Sequence, residues 1–231
     1  MCATDAYASQ VQATVREVRP EGVVLDRTVF YARGGGQPGD RGWLRWEDGA
    51  AAVTDTVRAG GVPVHVVEGD VPAPDAAVRG EIDWERRHLA MRIHTALHAM
   101  SGIVWRDYGA KTTGGNMEPP EARMDFELEH MSAAFGQEVE DKLNAALAQD
   151  HAVQVLFLPR DRALADPDLI RTKVNLIPEH VDPIRIIDIQ GLDKQADGGT
   201  HVRSTAEVGE VRVIKTDSKG KGFKRIRIRL A

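Results

Sequence analysis

Cysteine is nearly absent: among 231 residues only Cys2 carries a thiol. That excludes an internal disulfide and a thiolate metal cluster, and it leaves a free thiol on an N-terminus expected to be unanchored. Long apolar runs are missing too, so nothing in the sequence reaches the length of a membrane-spanning helix. The first residues lack a basic stretch followed by an apolar core, so no secretory signal is expected and the protein reads as cytoplasmic. There is no excess of basic charge. A formal net charge of −5 excludes a surface coated in cations, although a local basic stripe, which is what a nucleic acid would feel, remains open. No tract is of low complexity, and the composition is that of an ordinary globular protein. The length suits one large domain or two modest ones.

The N-terminal part, from about Gln10 to Asp83, reads as short strands between turn residues. Val11, Ala13 and Val15 alternate, Val23 to Leu25 follow a Pro-Glu-Gly turn, and Trp43 to Trp46, Ala51 to Val57, Val62 to Val67 and Val78 to Ile82 continue the pattern. Strands this short at about ten-residue intervals predict a small β-barrel or sandwich over residues 1–83. Inside it lies Arg33-Gly34-Gly35-Gly36-Gln37-Pro38-Gly39-Asp40. Consecutive glycines permit positive φ and close backbone approach, for a tight corner or to admit a ligand's backbone. A phosphate loop is excluded, because the Lys-Ser/Thr pair and the following helix are missing.

The second part, residues 84–231, opens with a helix predicted from Trp84 to about Trp105. Leu89, Ile93, Leu97, Met100 and Val104 form its apolar stripe, and Asp83 is its N-cap. Within it, His94 and His98 stand four apart and therefore share a face. Two stacked neutral imidazoles can grip one cation, and zinc suits them; the plainer reading is a pair of polar residues beside a packing stripe. The residue after His94 is Thr95, where the metalloprotease helix needs Glu as general base, which argues against peptide hydrolysis of that kind. After the helix, Lys111 to Asn116 reads as a polar glycine loop. Ala122 to Leu128 then alternates, a second helix starts at Ser132 with the stripe Phe135, Val139, Leu143 and Leu147, and Val153 to Leu158 and Ile184 to Ile189 read as strands. Helices and strands together make this part α/β or α+β.

The chain closes on a hairpin. Val211, Val213 and Lys215 lead into Lys219-Gly220-Lys221-Gly222, and the last strand puts Ile226, Ile228 and Leu230 on one face. Arg225, Arg227 and Arg229 then form a comb on the other, with Lys219, Lys221 and Lys224 at its foot. Such a comb suits phosphates; the alternative is an edge strand blunted by charge. Upstream, Asp197 and His201 flank Gly198-Gly199. Two donors across a turn can converge, and with His94 and His98 they would make a set of three imidazoles and a carboxylate.

The pairing of HTALH with GGTHV, together with GGGQPGD, TTGGNMEPPEARMDF and SKGKGFKRIRI, all in order along nearly the whole chain, resembles the AlaX family. These are freestanding relatives of the editing domain of alanyl-tRNA synthetase, and the GGGQPGD region marks the longer type with an N-terminal barrel domain. The resemblance implies an α+β fold in which the metal-site helix packs on a mostly antiparallel sheet. It implies hydrolysis of the ester in mischarged tRNA(Ala), chiefly Ser-tRNA(Ala) and then Gly-tRNA(Ala), with one zinc ion assisting. His94, His98, His201 and Asp197 are the expected catalytic and metal residues, Thr112 and Thr113 the readers of the substrate side chain. Arg33, Gly34, Gly35 and Gly36 and the basic C-terminal comb are the expected tRNA contacts. One departure stands out: the family usually has Cys where this chain has Asp197. A carboxylate binds zinc at similar distance, so either Asp197 is the fourth ligand or it stands behind a three-histidine site. Two other readings are a metal-dependent hydrolase of a small ester or amide, and a non-catalytic tRNA-binding module.

Overall fold

The computed structural model describes residues 1–231 apart from 131, 133, 173–176, 219 and 221. The chain forms two compact units, Met1–Ala90 and Met91–Ala231. In the first, six strands close into a barrel: β1 (Gln10–Arg19), β2 (Gly22–Leu25), β3 (Gly42–Trp46), β4 (Gly49–Ala59), β5 (Val62–Gly69) and β6 (Ala77–Ile82). Their spatial order is β1-β2-β5-β4-β3-β6. Closure falls on β6, whose Glu81 stands opposite both Gln10 of β1 and Trp43 of β3. Val11, Ala13 and Val15 fill the interior with Val23, Leu25, Phe30, Leu44, Val53, Val78 and Ile82. A closed barrel exposes no unpaired ladder, which lets a strand as short as β2 persist.

The glycine motif builds a corner. Gly34 and Gln37 exchange both backbone hydrogen bonds, at 3.1 and 2.9 Å, across Gly35 and Gly36 at φ 56° and 84°. Both central positions are left-handed, a conformation that glycine adopts freely and L side chains rarely. Asp40, at the end of the motif, is buried and accepts the Tyr31 N–H at 2.5 Å and Nε of Arg87 at 3.0 Å. Arg87 lies in the first turns of α1 (Trp84–Tyr108) and is fully buried; its remaining donors reach Ala6 O and Val29 O, each at 2.7 Å. A buried guanidinium is tolerable only with this degree of pairing. It also corrects the expectation of a loose N-terminus. Ala6 supplies an acceptor to Arg87, Tyr7 packs on Trp84 with ring centroids 5.5 Å apart, and Cys2, free as expected, lies with Sγ 4.0 Å from Phe30 O.

The second unit is mixed α and β. It holds the larger part of α1, then β7 (Thr112–Glu118), β8 (Glu121–Glu127), α2 (Phe135–Leu147), β9 (Val153–Leu158), α3 (Arg160–Ala165), β10 (Ile184–Ile189), β11 (Asp193–Ala196), β12 (Val211–Ser218) and β13 (Phe223–Leu230). One sheet runs β12-β13-β8-β7 and the other β11-β10-β9, with antiparallel pairing between all named strands. This is the expected α+β class. Asp83 caps α1 through the Arg86 N–H at 3.0 Å. From Ile93 to Val104 every residue of α1 is buried, so the helix is covered all round and its polar side chains have to pair inside the protein. Among the described residues no helix is long and apolar enough to cross a membrane.

Three local expectations are corrected. The segment 111–116 is not a loop: from Thr112 it is strand β7, because β8 offers a ladder that glycine backbones can join without side chains, with a bulge between Thr112 and Gly114. β13 is not an edge strand, since β12 and β8 flank it. Lys224 is not at the foot of the comb. It shares parity with Ile226 and Ile228, is buried on their face, and donates Nζ to Ser218 Oγ at 3.1 Å. Lys219 and Lys221 lie outside the described residues.

The barrel also buries a histidine. His65 donates Nδ1–H to Val23 O at 2.9 Å, and its Nε2 receives the Thr28 hydroxyl at 2.8 Å, a neutral tautomer fully used. Burial pushes its pKa down to about 4, only partly opposed by the bond to Val23. The unfolded chain therefore takes up a proton near pH 6.5 that the folded barrel refuses. Stability is fully present above that pH and falls as pH drops toward 4, by an amount on the order of 3 kcal/mol. Urea unfolding at pH 7 and pH 4.5 should show a larger loss for the wild type than for His65→Gln; equal losses would contradict this assignment.

Candidate active site

α1 delivers His94 and His98 to one side, and the segment after β11 delivers Asp197 and His201. The four come together: one ligand atom from each lies within 4.8 Å of all the others. The ring centroids of His94 and His201 are 4.3 Å apart, those of His98 and His201 4.7 Å, and those of His94 and His98 5.2 Å. Asp197 sits among the Nε2 atoms, with Oδ1 3.6 Å from His94 and 3.9 Å from His98, and Oδ2 3.1 Å from His201. All three imidazoles are buried.

Several groups hold this arrangement. The Asp197 carboxylate accepts the Gly199 N–H at 2.5 Å, and its backbone oxygen accepts Nη1 of buried Arg185 at 2.9 Å. Thr95 donates its hydroxyl to Met91 O, one turn back, at 2.9 Å, which aims its oxygen at the other chain segment. That oxygen then accepts Nδ1–H of His201 at 3.1 Å and the Val202 N–H at 3.3 Å. With Nδ1 so occupied, the His201 tautomer leaves the Nε2 lone pair facing Asp197 and the other rings. The sequence offered Thr95 only as a missing Glu; its spacing from Met91 and its place beside His94 were the available signal for this role.

The electrostatics follow from burial. His94 is pushed down to about 4 by desolvation, opposed by the Asp197 charge and reinforced by His98 and Arg185. His201 falls well below the ordinary imidazole range, burial first and His94 next. His98 goes the other way: burial would lower it, but the neighbouring Asp193 and Asp197 carboxylates win and raise it to about 9. Asp197 is held well below the usual carboxylate range; burial resists this, and the surrounding histidines, His94 foremost, overcome it.

The other expected residues are placed differently. Thr112 is buried in β7 with Oγ1 3.4 Å from Ser101 Oγ and 3.7 Å from Met124 Sδ, whereas Thr113 is exposed. Arg33 is exposed in the barrel unit, 3.4 Å from Asp55, next to exposed Gly34 and Gly35 and half-buried Gly36. The arginine comb is real but balanced. Arg225 holds Asp125 through bonds of 2.6 and 2.7 Å, Arg227 stands 3.6 Å from Asp217, and Arg229 holds Glu121 at 2.9 Å.

The donor set has the chemistry to hold a metal ion. Tetrahedral bonds to zinc of about 2.0 Å put ligand atoms roughly 3.3 Å apart; here each Nε2 stands 3.1–3.9 Å from one or other Asp197 oxygen, and the four ligand atoms lie within 4.8 Å of one another, slightly wider than a closed set. Residues 4–86 match a family model described as tRNA synthetases class II (A), and residues 184–227 one described as threonyl and alanyl tRNA synthetase second additional domain. Across 226 residues the chain is 35% identical to the alanyl-tRNA editing protein AlaX-M of Saccharolobus solfataricus, covering 96% of this chain and 94% of that one. The chain belongs to the AlaX family. A second AlaX-M protein, from Methanosarcina barkeri, is 36% identical with coverage of 96% and 94%. The alanine–tRNA ligase of Pyrobaculum neutrophilum is 37% identical over 96% of this AlaX chain, which spans 25% of the ligase.

Replacing Thr95 by Val keeps the shape and removes the acceptor, leaving two buried donors bare. The expected cost is about 2 kcal/mol, read as a lowered urea midpoint, with Thr95→Ser restoring most of it. An unchanged midpoint for Thr95→Val would show that the hydroxyl does not hold His201.

Proposed function

We propose that this AlaX chain is a trans-editing hydrolase that cleaves the ester of mischarged tRNA(Ala), chiefly Ser-tRNA(Ala) and secondarily Gly-tRNA(Ala). The observation that carries the reading is the convergence of His94, His98, His201 and Asp197 in a chain that aligns end to end with named alanyl-tRNA editing proteins. The need for such an activity is physical. A synthetase pocket shaped for a methyl group rejects an analogue that adds a hydroxyl by only about a hundredfold. A second site that hydrogen-bonds the hydroxyl spares the analogue lacking it, because its own polar groups would go unpaired.

His94, His98 and His201 through Nε2, and Asp197 through a carboxylate oxygen, would hold a zinc ion. Bound there, zinc supplies a Lewis acid for the ester carbonyl and lowers the pKa of water. The chain's own residues do the rest. Thr95 keeps the proton of His201 on Nδ1, so Nε2 stays available. Gly199 N–H and Arg185 fix Asp197 so that Oδ1 remains among the imidazoles. Thr112, whose buried hydroxyl lies 3.4 Å from Ser101 Oγ, is proposed over exposed Thr113 as the reader of the substrate hydroxyl. Arg33 and the open Gly34–Gly36 turn are proposed to meet the tRNA. The arginine comb contributes less, because any phosphate competes with Asp125, Asp217 and Glu121 for it.

Deacylation of Ser-, Gly- and Ala-charged tRNA(Ala), with and without a chelator, tests the reading. The expected result is turnover of the serine and glycine esters, sparing of the alanine ester, arrest by the chelator, and a loss of a hundredfold or more in His98→Ala. Near-normal activity of His98→Ala would remove the mechanism. Equal activity on a free serine ester would point instead to a small-ester hydrolase, and tRNA binding without turnover to a non-catalytic module.

A further inference from the structure

Nδ1 of His98 points away from the cluster toward a second, fully buried group. His98 Nδ1 is buried and finds no well-formed hydrogen bond among the described residues; Asp193 Oδ2 stands 3.3 Å from it. The Asp193 side chain is fully buried and receives two further donors. Arg171 Nη1 binds Oδ1 at 2.5 Å, and Gln195 Nε2 binds Oδ2 at 2.8 Å. Each of these is held in turn. Arg171 lies over the Trp105 ring, 5.7 Å from its centroid, and Gln195 Nε2 also reaches Ser101 Oγ at 3.2 Å.

The helix is shaped to admit this carboxylate. Gly102, four residues after His98, is bare where Asp193 passes: a Cβ there would stand 2.9 Å from Asp193 Cβ, 3.0 Å from its Oδ1 and 2.8 Å from Leu192 O. Alanine would favour the helix by about 1 kcal/mol, yet glycine occupies the position. Thus Ser101, Gly102 and Trp105, all on the side of α1 that carries His98, serve the placement of one acid.

We propose that Asp193 is the positioning residue for His98: its carboxylate, clamped by Arg171 and Gln195, takes the Nδ1–H and so presents Nε2 to His94, His201 and Asp197. An acid behind a metal-binding imidazole fixes ring orientation and tautomer and strengthens the donor. The inference rests on reading the cluster as a metal site, and the test separates the two. In Asp193→Asn an amide N–H must oppose one of three converging donors, so the ring loses its anchor while the volume is kept.

Two measurements on the full-length protein decide it. Zinc affinity, by competition with a chromophoric chelator, should fall 10- to 100-fold in Asp193→Asn. Long-range proton–nitrogen spectra of the metal-free imidazoles should show the His98 pattern shifted from that of the wild type, while that of His65 is unmoved. If the wild type binds no zinc, the metal reading fails, but the imidazole spectra still judge Asp193. Unchanged affinity and an unchanged His98 pattern in folded Asp193→Asn would overturn the proposal. If circular dichroism shows that variant unfolded, Arg171→Gln carries the same two readouts, with a smaller loss of a few fold expected and no change contradicting it.

Discussion

Three imidazoles and a carboxylate cannot be buried against one another unless every proton and charge among them is assigned. That constraint shapes the second unit. Thr95 fixes the proton of His201, Gly199 N–H and Arg185 hold Asp197, and Asp193 faces the outer nitrogen of His98. Each of these supports is itself buried or half-buried, so the helix that carries the histidines has to be enclosed on all sides. Without that enclosure, water would satisfy the same groups and the four side chains would have no reason to hold one geometry.

The barrel solves a related problem with a different pair. Arg87 and Asp40 are buried together, and the guanidinium spends its surplus donors on Ala6 and Val29. The final Asp of the glycine motif is thereby structural, while Arg33 and the turn Gly34–Gly36 stay at the surface. The motif therefore divides into an anchoring half and an open half. In the second unit the basic comb is similarly absorbed: Arg225 and Arg229 stand directly opposite Asp125 and Glu121 in the ladder, and cross-strand pairs of this kind stabilise a sheet.

Periodicity carried much of this into the sequence. Four-residue spacing put His94 and His98 on one face, and period two separated Ile226 and Ile228 from Arg225 and Arg227. The same parity assigns Lys224 to the buried face, although its charge suggested otherwise. Other features have no local signature. Whether β13 lies inside a sheet depends on β8, a hundred residues away, and Thr112 to Asn116 becomes a strand because a neighbour offers a ladder, against glycine's poor propensity. Asp193 carries an ordinary side chain at unremarkable spacing, and the place of Thr95 beside His94 hints at a role without naming its partner. Only the folded arrangement shows that one faces His98 Nδ1 and the other His201 Nδ1.

The central claim is that His94, His98, His201 and Asp197 close on a single point. Visible absorption of the cobalt(II)-loaded protein tests it most directly, because the intensity of these bands reports coordination geometry and tetrahedral sites absorb far more strongly than octahedral ones. The account predicts intense bands at one cobalt per chain that collapse when either His94 or His201 is replaced by Ala. A weak octahedral spectrum, or one indifferent to those replacements, would contradict it.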